Sequence, residues 1–315
     1  MPDRFVIASW DDRRRPLELI ESTSAERGAD FIVFGSRADP STLALIERAI
    51  SEQPQAQVIV VCDPNDPARQ SSLRGELPPL LSLLADSPTG DPAVAVSFKA
   101  LCEQATSAPD GTGLQGLTMR VAISGNVLFV ESDSSTASPP RLWPSLTMPA
   151  SGSKATRLRD FIVSLSLPTL RPNSPDTIAL RAGLLLLNDF FDDSHSCSQS
   201  MEGHQNADYW HAILHRREPD YGNAKYWFRH VGRHAIFGEL AQSVSTMFSR
   251  AAGSLAGKLE RWQPRLIAAS GWEPFAFVDL CEAAETDPEL RAWCEEVQFA
   301  EMLLLLASTY RNAVD

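Results

Sequence analysis

His211 and His215 stand four residues apart in the run Tyr209-Trp210-His211-Ala212-Ile213-Leu214-His215. On a helix, at about 100° per residue, they lie one turn apart on the flank of an apolar face made by Trp210, Ile213 and Leu214. Glu218 falls in line with them if the turn persists. Two imidazoles and a carboxylate placed this way can meet one cation, because i, i+4 histidines share a tetrahedral or octahedral ion. The pattern is not H-E-x-x-H: Ala212 follows His211, so the adjacent glutamate base is missing. All six histidines fall between His195 and His234. His230 and His234 repeat the spacing, but Gly232 between them predicts a helix end, so this second pair counts for less.

The upstream segment supplies a further element. Arg181, Asn188, Asp192, His195 and Gln199 form a polar stripe opposite Leu186, Leu187 and Phe190, the pattern of a solvated helix edge. In a helical bundle, though, carboxylates and histidines pointing inward from facing helices are how metal sites are built. On that basis Asp192, His195, His211, His215 and Glu301 are candidate ligands for a divalent transition metal: zinc, iron or manganese. Such an ion acidifies a bound water, with His195, His211, His215 and Glu218 as the candidate catalytic groups. Glu301 shares the buried face of the last helix with Leu290, Trp293, Val297 and Leu304. Arg217 projects into an apolar face, where an unpaired guanidinium is costly. A structural Arg217–Glu301 pair answers both positions.

The same stretch is locally basic and aromatic. Arg216, Lys225, Tyr226 and Arg229 are candidate substrate-binding residues, with Arg217, Arg233, Tyr209, Tyr221 and Trp227 interleaved, a composition suited to a small-molecule or phosphate-like anion. Two functions are therefore expected of the segment. One is a metal-assisted hydrolase acting on a small anionic substrate; the other is a non-enzymatic anion-binding or protein-interaction module. A purely structural cluster of aromatics and salt bridges is the third possibility.

Tyr209-Trp210-His211-Ala212-Ile213, His215-Arg216-Arg217-Glu218-Pro219-Asp220-Tyr221 and Asn223-Ala224-Lys225-Tyr226-Trp227-Phe228-Arg229 together resemble the signature of a protein family without an assigned activity, often preceded by a Ser-His-x-x-x-Gln like Ser194, His195 and Gln199. The resemblance spans about Leu180 to His234. It implies a location for function and no chemistry.

The elements that must position these residues follow from periodicity. Phe5 to Ser9, Asp30 to Gly35 and Gln57 to Cys62 are short β-branched runs, with helical patterns over Pro16 to Arg27 and Ser41 to Ser51. That order predicts an α/β N-terminal domain over 1–131 with a parallel sheet, Rossmann-like or receiver-like. A helix near Gly75 to Ala85, a strand at Ala93 to Phe98 and a hairpin turning at Gly125-Asn126 would extend it. A Pro/Ser-rich linker over 132–157 leads into an all-α domain over 158–315. Its expected helices are 160–166, 176–200, 208–217, 223–231, 238–262, 274–285 and 288–311, the last opened by a Thr286–Glu289 capping box.

The loops after the first three strands carry Asp11, Asp12, Asp39, Asp63 and Asp66. An aspartate pair after one strand and another aspartate after the third resembles the acidic pocket of response-regulator receiver domains. The resemblance implies metal binding by Asp11 and Asp12, a phosphoacceptor at Asp63 and a lysine role for Lys99, although Pro64-Asn65 replaces the usual residues after the acceptor. Turn-forming and helix-capping aspartates are the simpler account. No G-x-G-x-x-G follows the first strand and no P-loop occurs, so neither a dinucleotide nor a P-loop nucleotide is expected.

Composition bounds the rest. A 315-residue chain exceeds what one core usually serves, and 43% hydrophobic with 22% charged residues is ordinary for a globular protein. The formal charge of −12 argues against a nucleic-acid partner, which is recognised through Lys and Arg on phosphates. Apolar runs are too short for a signal peptide or a membrane span, so a cytoplasmic protein with no membrane partner is expected. Five cysteines without a C-x-x-C pair predict reduced thiols.

Overall fold

The computed structural model describes residues 5–8, 30–34, 40–62, 77–78, 81, 84–85, 93–105, 121–122, 127–131, 145–148, 156–165, 167, 169–269 and 271–314. The chain divides into two compact units. The first comprises Met1–Arg141 with Ala155–Phe161, the second Leu142–Lys154 with Ile162–Asp315.

In the first unit β1 (Phe5–Ala8), β2 (Phe31–Phe34), α1 (Pro40–Glu52), β3 (Val58–Cys62), β4 (Ala93–Ser97), α2 (Phe98–Ala105) and β5 (Val127–Glu131) follow in order. The strands form one sheet in the order β1-β2-β4-β3-β5. Ile32, Val33, Val58, Ile59, Val94, Ala95 and Val96 are all buried, the continuous apolar runs of strands covered on both faces.

The expected parallel sheet is corrected. β1 and β2 are parallel, as are β3 and β5, but β4 runs antiparallel to both of its neighbours, β2 and β3. A strand buried on both faces reads the same in either direction, so its sequence did not reveal the reversal. The hairpin at Gly125-Asn126 is corrected too: Val121 and Ala122 are helical, and β5 pairs with β3 from Val58↔Val127 onward. Asp11, Asp12, Asp39, Asp63, Asp66 and the helix at 16–27 lie outside the described residues. Lys99 is exposed in the first turn of α2.

Helix α3 (Thr156–Val163) precedes the helices of the second unit: α4 (Pro175–Leu187), α5 (Phe191–Gln199), α6 (Gln205–Arg217), α7 (Tyr221–Val231), α8 (Phe237–Arg250), α9 (Gly253–Leu259), α10 (Gln263–Leu266), α11 (Pro274–Ala283) and α12 (Pro288–Val314). A two-stranded ribbon, Ile267–Ala268 with Gly271–Trp272, joins α10 to α11. Leu240, Val244, Trp262, Trp272, Phe277, Leu280, Trp293 and Val297 belong to one buried apolar cluster.

The single helix expected over 176–200 is two. Asp189 takes φ 62°, and the Phe190 and Asp189 amides donate back to Leu185 and Leu186 carbonyls, the paired bonds of a Schellman ending. The chain turns there, so α5 packs back against α4, tied by the Ser194 hydroxyl donating to the Ala182 carbonyl at 2.9 Å. The helix expected over 238–262 likewise breaks, before Gly253 at φ 60°. At the start of α12 the cap is Asp287, which accepts from the Glu289 and Leu290 amides. Glu289 instead reaches Ser254 and Lys258. Residues 145–148, inside the stretch expected to link domains, are packed: Leu146 is buried in the helical core, and the Met148 amide donates to the Arg217 carbonyl at 2.6 Å.

Helix α6 holds the site. Every residue from Asn206 to Arg217 is buried, because α4, α5 and α7 all pack on it. Its seat on α4 depends on Gly183, where a Cβ would collide with the Trp210 ring.

Candidate metal centre

Two helices supply the three histidines that meet. His211 and His215 stack one turn apart on α6, with ring centroids 4.7 Å apart and planes inclined by 26°. The fold-back at Asp189 brings α5 alongside, and His195 presents its ring edge-on to His211 at 4.7 Å and to His215 at 5.4 Å. One ring nitrogen from each of the three lies within 4.8 Å of the others. His211 and His215 are buried, and His195 is partly exposed. Nitrogens around one zinc, at bonds of about 2.0–2.1 Å, stand roughly 3.4 Å apart in a tetrahedron. The separations here, up to 4.8 Å, are wider than that, so the rings must draw closer to share one ion.

His211 is the most telling member. It stacks on Trp227 of α7 at 3.9 Å and 22°, and neither of its buried ring nitrogens has a hydrogen-bond partner among the described residues. A buried polar atom left unmade costs about 1–3 kcal/mol. Among the described residues the indole N–H groups of Trp262, Trp272 and Trp293, Arg216 Nε and Nη1, and His204 Nδ1 are also without partners. Indole and guanidinium nitrogens only donate, and His204 stands apart from the cluster, whereas His211 leaves both ring nitrogens unmet inside it. Burial, followed by the neighbouring His215 and His195, pushes the His211 pKa down to about 3. Its ring is thus neutral, the form that ligates a metal.

His215 has its roles assigned by its neighbours. Nδ1 lies 2.9 Å from Glu218 Oε2 and Nε2 lies 3.1 Å from Asn223 Nδ2. The alignment of Glu218 with the two histidines, expected from helical spacing, thus takes the form of a bond to His215.

The other candidates lie elsewhere. Glu301 is not with the histidines: fully buried, it accepts Tyr209 Oη at 2.9 Å on Oε1 and Arg216 Nη2 at 2.6 Å on Oε2. Burial, then the Glu301 charge and hydrogen bond, holds Tyr209 well above the usual phenol pKa, so it stays a donor. Asp192 is exposed in the first turn of α5 and is not in the cluster. Arg217 does not pair with Glu301. It donates to Asp189 Oδ1 at 2.7 Å, the Leu186 carbonyl at 2.6 Å and the Ser145 carbonyl at 3.2 Å. The swap follows from α6 being buried all round, so that Arg216 and Arg217 both face protein, one towards α12 and the other towards the α4–α5 turn.

Among the substrate-binding candidates, Arg216 is spent on Glu301 and Lys225 pairs with Asp279 at 2.6 Å. Arg229 is exposed, with its guanidinium 5.9 Å from the Phe275 ring centre. Tyr226 is 46% exposed and meets Trp227 and His230 edge-on. The three remaining histidines stay apart: His230 is exposed, His204 contacts Asp176 at 3.4 Å, and His234 bonds Asn206 at 2.9 Å. Sequence spacing missed Asn223 as a neighbour of His215; its lone signal was its position in the first turn of the next helix.

Compared with known protein families, with curated proteins and with solved structures, the chain matches none. Among the described residues, no helix is long and apolar enough to cross a membrane.

Proposed function

We propose that this protein is a metal-dependent hydrolase whose centre is held by His195, His211 and His215. The observation that carries the proposal is the convergence of three imidazole nitrogens within 4.8 Å, with those of His211 buried and without a partner among the described residues. An all-imidazole set with no carboxylate suits zinc, iron, nickel or copper over magnesium or calcium. Three protein ligands leave a coordination position for water, whose pKa such an ion lowers towards neutrality. His195, the partly exposed member, gives that position its solvent side. The preference for an anionic substrate rests on Arg229, the exposed cation among the original four binding candidates.

The test is elemental analysis of purified protein, before and after reconstitution with zinc, iron, manganese, nickel and copper, beside a folded His211→Ala/His215→Ala variant. The loaded protein is then assayed on carboxylic and phosphoric ester panels. One ion per chain, lost with turnover in the variant, is the expected result. Absence of metal from every reconstitution would sink the centre. Stoichiometric metal without turnover would favour the non-enzymatic ligand-binding module, a reading that the exposed Tyr226 beside His230 also supports.

A further inference from the structure

A carboxylate can only accept a hydrogen bond, so the 2.9 Å contact between Glu218 Oε2 and His215 Nδ1 places the ring proton on Nδ1. Nε2 then carries the lone pair. That lone pair already has a partner: the side-chain amide of Asn223 sits 3.1 Å away with Nδ2 facing it, and an N–H donor is what a bare imidazole nitrogen accepts. With the Asn223 amide turned Nδ2 towards the ring, the two contacts fit the Nδ1–H tautomer and act on opposite ends of one ring. Glu218 comes from the last residue before the turn into α7, which caps α6. Asn223 comes from the first turn of α7, where its own amide is held by Asp220 Oδ1 at 3.1 Å. The short α6–α7 turn therefore carries both groups.

We infer that Glu218 and Asn223 are positioning residues that tune the three-histidine centre in opposite directions. Glu218 fixes His215 as the Nδ1–H tautomer and makes its Nε2 a better donor to a cation, the usual work of a carboxylate behind a ligating histidine. Asn223 caps Nε2 in the metal-free protein and competes with the cation for the same lone pair. Loading the site turns the Asn223 amide away, and its carbonyl oxygen is then free to face the cation or the water beside it. Asn223 thereby disfavours loosely bound ions and protects a buried lone pair until a metal arrives. This inference rests on the metal-centre proposal above.

The experiment is competitive zinc titration against a chromophoric chelator with wild-type protein, Glu218→Ala, Glu218→Gln and Asn223→Ala, each checked for folding by circular dichroism. It is paired with ¹⁵N NMR of the His215 ring in the metal-free state. Glu218→Ala should weaken zinc by about 10- to 100-fold at unchanged stoichiometry and lose the fixed Nδ1–H tautomer. Glu218→Gln, which can still accept from Nδ1–H, should keep the tautomer and recover part of the affinity. Asn223→Ala should bind zinc several-fold more tightly. Wild-type protein that takes up zinc, with Glu218 and Asn223 variants unchanged or shifted in the same direction, overturns the inference and leaves the centre standing. Wild-type protein that takes up none of zinc, iron, manganese, nickel and copper overturns both. A merely structural role for either residue alters melting temperature and leaves the ¹⁵N pattern and the opposed affinity changes absent.

Discussion

Helix α6 carries two buried polar clusters, and they are built on opposite terms. Towards α12, Glu301 accepts from both Tyr209 and Arg216, so a buried carboxylate balances a buried cation, although Arg216 Nε and Nη1 have no partner among the described residues. Towards α5 and α7, His211 and His215 meet His195, and the cluster contains lone pairs without a positive charge to receive them. Burial alone does not separate structure from function here, since Arg216 and Glu301 are as buried in one cluster as His211 and His215 are in the other. What separates them is how charge is closed: in the first a buried cation already meets its carboxylate, and in the second the unpartnered His211 nitrogens leave a place that, on the proposal above, a cation fills.

Removing the carboxylate of the closed cluster should have the largest effect. Glu301→Ala leaves the Arg216 charge buried and unpaired, which costs about 3–5 kcal/mol, read as a lower urea midpoint. A variant with near wild-type stability would show that Glu301 is not what balances Arg216. Gly183→Ala acts on both clusters by pushing the Trp210 ring off its seat; about 1–3 kcal/mol of overpacking destabilisation should be measured by thermal melting, together with weaker metal uptake.

Acidification reads the imidazoles that burial keeps neutral. Burial lowers His234 to about 4, below its unfolded value near 6.5, so the folded state binds fewer protons than the unfolded chain. The stability it contributes is full above about pH 6.5 and is lost as pH falls towards 4. His211, lowered to about 3, acts with the same sign. For metal-free protein, the loss attributable to His234 between pH 7 and pH 5 is about 1–2 kcal/mol, and His234→Gln should flatten the stability profile in that window. A profile unchanged by the substitution would mean that His234 titrates alike in both states.

The open cluster should lose less than the closed one. Without metal, His211→Gln breaks no hydrogen bond among the described residues but loses the stacking on Trp227, and should cost about 0.5–3 kcal/mol, below the Glu301→Ala loss. With metal at 100 times its dissociation constant, wild type should gain about 2.7 kcal/mol and the variant should not. Equal stabilisation of both by zinc would place the bound ion elsewhere.

How much of this was legible in sequence follows the same division. The pairing of His211 with His215 was readable because i, i+4 geometry depends on one helix alone. His195 could be proposed as a partner but not placed, since its approach depends on the left-handed turn at Asp189, a residue type that tolerates that conformation without announcing it. The assignment of Glu301 failed for a different reason. Facial reasoning presumes that a helix has a wet side, and α6 has none, so Arg216 and Arg217 could not be told apart. In the first unit, β4 carries no mark of its direction, because burial on both faces erases the alternation that would distinguish the two kinds of pairing.

In the proposed centre three imidazoles, and neither Glu301 nor Asp192, hold one cation. X-ray absorption at the metal edge of zinc-loaded protein tests it most directly. Three imidazole nitrogens at about 2.0–2.1 Å, falling to two in His195→Ala and unaltered in Asp192→Ala, is the predicted result. A first shell made of carboxylate oxygens, or one that His195→Ala leaves unchanged, would contradict it.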